Sequence, residues 1–397
     1  MPLSTLATTW PLLLGMGVLM LGAGLQSTLL GLRATLEGFP TLVTGIIMSG
    51  YYVGYVLGTM IAPPLLRQVG HIRVFATLAA IASAAILVHG CFVNPVTWGA
   101  MRLVSGVCFA GIYVVAESWL NDRASRANRG RLFAIYMLIL YVGLGAAQFL
   151  LVVSNPLTAT PFMLVSVLIS LAMVPIVVSA QQLPERAVPR TVRLPDLYRN
   201  SPLGVVGVTV SGLISAIIFS MGPVYARLSG LETTGVATFM AVSILAAVVT
   251  QYPVGRMSDR VDRRTVIAGV CALATIVAGS IVAFPKMPHG AFLTLAALFS
   301  GFALTLYSLS VSHVNDKLEP EQMVAASSAL LLLNGSAAAI GPMLAGSLIT
   351  AFGPAAYFAT LAGLTGALAV YDLWRKSRRR PVPPSQKGPF IDAQPRA

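Results

Sequence analysis

Long apolar runs alternate with short polar stretches along almost the whole chain. The runs lie near 9–33, 41–66, 73–93, 96–119, 130–153 and 161–180, then near 202–226, 234–254, 264–284, 290–313, 322–350 and 354–374. Each is long enough to cross a hydrocarbon core of about 30 Å as a helix. Between the two sets lies QQLPERAVPRTVRLPDLYRNSP, residues 181–202, whose four prolines and four arginines break the apolar pattern. The pattern predicts an all-α membrane protein with twelve transmembrane helices in two sets of six. The expected parts are a bundle at 1–180, a cytoplasmic linker at 181–201, a second bundle at 202–376 and a disordered cytoplasmic tail at 377–397.

Composition agrees with this reading. Of 397 residues 56% are hydrophobic and only 10% charged, and the mean hydropathy is +0.81. A soluble chain carries roughly a quarter charged residues. The opening MPLSTLATTWPLLLGMG lacks a basic leader and a cleavage site, so a retained first span is expected. Cys91, Cys108 and Cys271 fall inside or at the ends of apolar runs without metal-ligand spacing, which makes them small apolar residues.

The net charge of +13 is a matter of topology. With the N-terminus cytoplasmic, nearly all lysines and arginines fall in cytoplasmic loops or the tail, as the positive-inside rule requires. Arg33, Arg227 and Lys286 lie outside, and Arg102 lies within a span. Only RKSRRR, at 375–380, forms a basic cluster, so a lipid surface explains the charge and nucleic acid is not expected. Both termini are therefore expected in the cytoplasm of a plasma membrane, the inner membrane of a bacterium.

The two halves echo each other. After the eighth span stands GRMSDRVDRR, Gly255 to Arg264; after the second stands PLLRQVGHIR, Pro64 to Arg73. This echo resembles the loop signature of the major facilitator superfamily of secondary transporters, Gly-x-x-x-Asp-Arg-x-Gly-Arg-Arg. Gly255, Asp259, Arg260, Arg263 and Arg264 match it, and Asp262 stands at a glycine position. In the first half, aligned on Gly70, Pro63 and Arg67 replace the first glycine and the aspartate. Arg102-Leu-Val-Ser-Gly106 resembles the family's Arg-x-x-x-Gly element, and Ala116 to Leu132 its glutamate and Arg-Gly pattern. The fifth-span Gly-Pro pair of antiporters is missing, while a Gly341-Pro342 pair sits in the eleventh span.

The resemblance implies two pseudo-symmetric six-helix bundles, alternating access and a monomer. It also implies gating residues: Gly255, Asp259, Arg260, Arg263, Arg264, Glu117, Arg129 and Arg131. Asp259 is expected to latch onto the start of the fifth span at Arg129 to Arg131, where a helix N-terminus carries about half a positive charge. A local, solvated pair with Arg263 is the simpler reading, worth at most about 1 kcal/mol.

Arg102 and Glu117 are the ionisable residues placed well within spans, apart from histidines near span ends. They lie about 22 Å apart along one helix and on one broad stripe with Gly106 and Tyr113. Charges at such depth face an aqueous cavity or a partner. For Arg102 the choices are substrate or proton coupling against a bond to backbone carbonyls. For Glu117 they are a gate contact to Arg73, Arg129 or Arg131 against a proton-carrying carboxylate. Tyr51, Tyr52, Tyr141, Ser215 and Asn334 supply polar groups near the midplane, and some of them line the transport cavity. His89 and His313 are expected to bond locally, His71 and His289 to sit in loops. A catalytic constellation, a metal site and a cofactor are not expected, and short loops argue against a channel filter. The reading is a transporter for a small organic solute, with protons as the candidate coupling ion and the direction open. A solute sensor that binds without transporting is the alternative.

Overall fold

A computed structural model of the protein describes residues 3–123, 129–178, 194–318 and 320–376. Its described residues form helices and turns, with no strand among them. In the first half, α1 (Leu3–Leu36), α2 (Thr41–Val69), α3 (His71–Cys91), α4 (Pro95–Arg123), α5 (Arg129–Leu150) and α6 (Thr160–Val178) follow one another. A short α7 (Leu194–Asn200) precedes α8 (Pro202–Leu228), α9 (Thr233–Arg260), α10 (Arg263–Ala283) and α11 (His289–Asn315). Then come α12 (Pro320–Ala338), α13 (Gly341–Phe352) and α14 (Ala356–Lys376).

Twelve stretches among the described residues are long and apolar enough to cross a membrane, as the apolar runs require. The helices overrun several runs: α2 and α4 have 29 residues each, about 43 Å, longer than a hydrocarbon core. Val53, Leu57 and Met60 on α2, Leu171 and Val174 on α6, and Val249 on α9 are all exposed, a surface that suits lipid and not water. The eleventh span is broken. Pro342 has no N–H and its ring excludes a continuous helix, so α12 ends at Ala338 and α13 begins at Gly341, which packs against the Leu213 carbonyl. The residues at 179–193 and the tail from 377 lie outside the described residues. The last part of the connector is helical: α7 buries Leu197 against Val205, Val311 and Leu330.

The chain divides into two compact units, Met1–Ala187 with Ala226–Ala241, and Val188–Tyr225 with Val242–Ala397. In the first, α2 runs along α4, α1 packs on α5 and α6, and α3 packs on α4 and α6. The α2–α4 approach is close because Gly54, Gly58 and Gly106 carry no side chain: a Cβ there would strike Leu103 O, Val107 O and Tyr51 O respectively. Hydroxyls join α3 to α6, where Ser83 Oγ lies 2.7 Å from Ser166 Oγ, and Thr28 donates to Gln148 Oε1 at 2.7 Å between α1 and α5.

The second unit repeats this plan. α10 packs on α11 and α14, with Thr275 Oγ1 2.9 Å from Thr365 Oγ1. Thr250 of α9 donates to Gly301 O of α11 at 2.8 Å, and Gln251 Nε2 to Ser308 Oγ at 2.9 Å. Asn334 of α12 donates to Val208 O of α8 at 3.0 Å. A single offset along the chain superposes turn on turn. Gly38 (φ 74°) and Gly230 (φ 88°) close the first turn of each half in a left-handed conformation that suits glycine. The same offset takes the start of α2 at Thr41 to that of α9 at Thr233, and His71 to Arg263.

Candidate functional site

In the first unit Arg102 is 3% exposed, and its guanidinium lies over the Tyr51 ring with Cζ 4.5 Å from the centroid. It donates no hydrogen bond to any described residue and pairs with no carboxylate among them; its Nε is buried and unpartnered. Among the described residues no backbone carbonyl bonds Arg102. Stacking on one ring contributes about 2 kcal/mol when desolvated. A buried charged donor left unbonded costs more than the about 1–3 kcal/mol of a neutral one, so the ring offsets only part. The surroundings are aromatic. Tyr52 meets Tyr51 edge-on at 5.3 Å, and Tyr55 links Tyr51 to Tyr113. His89, buried and with Nε2 unpartnered, lies within electrostatic reach of Arg102.

The other polar candidates are placed as follows. The Tyr113 hydroxyl donates to Met20 Sδ at 3.3 Å, and Tyr52 and Tyr141 are buried. Gly106 is the close-approach point of α2 and α4, next to the Arg102 turn. In the second unit Ser215 turns back on its own helix, donating to Gly212 O at 3.2 Å. Asn334 joins α12 to α8 through Val208 O and Ser211 Oγ. Glu117 is half-buried and Arg131 exposed; Arg129 begins α5, and its side chain lies outside the described residues.

The loop motif folds into a corner of the second unit. Asp262 caps α10 by accepting from the Arg264 amide at 3.1 Å, and its other oxygen pairs with the Arg264 guanidinium at 3.2 Å. Arg263, 1% exposed, sends Nε to Asp316 Oδ2 at 2.7 Å and a terminal nitrogen to Ser258 Oγ at 2.8 Å. Asp259, half in solvent, stands 3.5 Å from the same guanidinium. Gly255 is buried on α9 and Arg260 exposed at its end.

The first unit has a matching corner with different chemistry. His71 is not a loop residue: it starts α3, where its Nε2 lies 3.1 Å from Ser118 Oγ and 4.0 Å from Asp122 Oδ2. His289 likewise starts α11. His89 bonds locally as expected, with Nδ1 2.8 Å from Ala85 O.

Asp316, Asp122 and Asp372 were not legible as site residues. The partners of Asp316 and Asp122, Arg263 and His71, lie tens of residues away along the chain. Asp372 stands near the end of the last apolar run, and in the fold it is fully buried in α14, within electrostatic reach of Arg264 and Lys376. The one available signal was helical phase, since Asp372 shares a face of α14 with the buried Thr365 and Leu368.

The sequence model of the Major Facilitator Superfamily matches residues 12–250 and 205–396. The chain belongs to the major facilitator superfamily. Among its relatives, the uncharacterized MFS-type transporter YcaD of Escherichia fergusonii is 30% identical over 311 residues, 77% of this chain and 79% of that protein. The uncharacterized MFS-type transporter YE1530 of Yersinia enterocolitica is 28% identical over 363 residues, 89% and 90% of the two chains. In fold, a mutant of the nucleoside transporter NupG matches with a TM-score of 0.78 at 14% identity, over 93% of this chain and all of the other. As a major facilitator protein, the chain is a multi-pass membrane transporter. Its Arg263 corner contains the residues that resemble the family's loop signature, and Arg102 is the first of those that resemble its Arg-x-x-x-Gly element.

Proposed function

We propose that this transporter moves a small organic solute across the bacterial inner membrane by alternating access, with Arg102 in its binding site and both termini in the cytoplasm. The observation that carries the reading is the Arg102 guanidinium, buried in a span with no hydrogen bond to any described residue and its Nε unpartnered. A cation in that position is tolerated where a ligand or an aqueous path completes it. Asp259, Arg263 and Asp316 belong to the gate in this reading: they join α9, α10 and α11 at one end of the second unit, where a change of helix angle must make or break charged contacts. Glu117, half-buried near the end of α4, serves the same purpose in the first unit. Protons are the proposed coupling ion.

The test begins with a solute library screened by thermal unfolding of the purified protein, because a ligand that binds the folded state raises its stability. Labelled hits are then assayed for counterflow in proteoliposomes. Exchange of label against unlabelled solute is expected. Hits that stabilise the protein yet never cross the bilayer would make it a sensor instead.

A further inference from the structure

We infer that the solute is a small organic anion, whose carboxylate or phosphate oxygens pair with Arg102. This deepens the reading of the same site and rests on it. Arg102 presents five N–H donors, and none of them meets an acceptor among the described residues. One face of the guanidinium is taken by the Tyr51 ring at 4.5 Å. The in-plane edge, which carries the donors, is what remains for recognition. That edge is a planar fork matched to the paired oxygens of a carboxylate or phosphate.

The neighbours reinforce the sign. Among the described residues, Tyr51, Tyr52 and His89 lie within electrostatic reach of Arg102, and none of them is a carboxylate. His89 adds no donor: its Nδ1 gives its proton to Ala85 O, which leaves only a lone pair on Nε2 of the neutral ring, so recognition of the anion falls to Arg102 alone. A neutral solute would leave the cation uncompensated, and a cationic one would be repelled. Tyr51, Tyr52, Tyr55 and Phe109 form an aromatic wall beside the charge, which suits an anion with a compact apolar or aromatic body. The fixed cation sits on a long helix of the membrane unit, held in register by the close α2–α4 approach at Gly54, Gly58 and Gly106.

The test compares matched probes on the full chain. Benzoate, short alkyl carboxylates and phenyl phosphate are set against benzamide and benzyl alcohol, first by thermal unfolding and then by counterflow. Carboxylates or the phosphate ester are expected to stabilise the wild type, the better series naming the acid group, while the neutral counterparts do not. Arg102→Gln should weaken anion binding at least tenfold, and Arg102→Lys should keep part of it. Neutral probes that bind as well as their acids, or anions that bind Arg102→Gln as tightly as the wild type, would overturn the inference and leave transport standing. Should Arg102→Gln fail to fold, the wild type alone decides. Binding of a weak acid must then fall tenfold per pH unit below the acid's own pKa, and a flat profile overturns the inference. Anion binding that depends on Arg102 without any counterflow would keep the site and remove the transport reading instead.

Discussion

Arg263 and Asp316 form an ion pair of 2.7 Å between the start of α10 and the end of α11, with side chains only 1% and 3% exposed. Ser258 completes the guanidinium from α9. Three helices of the second unit are thus tied at one charged point, and the pair is worth most as a unit. Either charge alone would be buried without compensation.

Arg263→Met or Asp316→Asn should therefore each destabilise the protein by about 3–5 kcal/mol, and replacing both by apolar residues should cost much less than the two losses combined. Thermal unfolding of the purified variants checks this. Additive losses would mean that the two residues do not act as a pair.

Gly54 should tolerate nothing larger. A Cβ there meets the Leu103 carbonyl, so Gly54→Leu has to push α2 away from α4, at about 1–3 kcal/mol or more. Gly99 has open space around it, and Gly99→Ala should stay within about 0.5 kcal/mol of the wild type. Unfolding temperatures of the two variants measured side by side test the contrast, and equal shifts would argue against the close approach.

Asn334→Leu removes the bonds to Val208 O and Ser211 Oγ that hold the broken eleventh span to α8. Polar contacts between membrane helices average about 0.6 kcal/mol and reach about 1.7, so a loss near 1 kcal/mol is expected. A larger loss in denaturant titration would assign Asn334 more than helix joining.

Reporter fusions at Ala397 and in the 286–289 loop should give opposite signals. In the proposed orientation, which follows the distribution of basic residues, the C-terminal tail lies in the cytoplasm and that loop, with Lys286 as its one arginine or lysine, on the other side. The same signal at both positions would contradict the proposed orientation.

Glu117→Gln should change the rate of transport while leaving its pH profile in place, as a gate contact would. Counterflow measured across pH distinguishes the roles, because a flattened profile would make Glu117 the proton carrier.

The number and order of the spans could be read from the sequence, because spanning is a local property: run length has only to match the thickness of the hydrocarbon. So could the loop motif, whose residues are neighbours along the chain, and Arg102, which stands out as a charge amid apolar residues. The extent of the helices could not, since α2 and α4 continue past the apolar stretch that marks them. Nor could the break at Gly341-Pro342, because a proline inside a span can kink a helix or end it, and packing against Leu213 decides which.

What the tertiary structure decided are the partnerships. Arg263 finds Asp316 across 53 residues, His71 takes in the first unit the place that Arg263 holds in the second, and Asp372, near the end of the last span, is buried. Above all, Arg102 turns out to have a tyrosine ring and, among the described residues, no carboxylate. The physical reason is the same in each case. Hydropathy is summed along the chain, whereas the state of a charge depends on what other helices bring within a few ångströms of it, and that is set by packing between residues far apart in sequence.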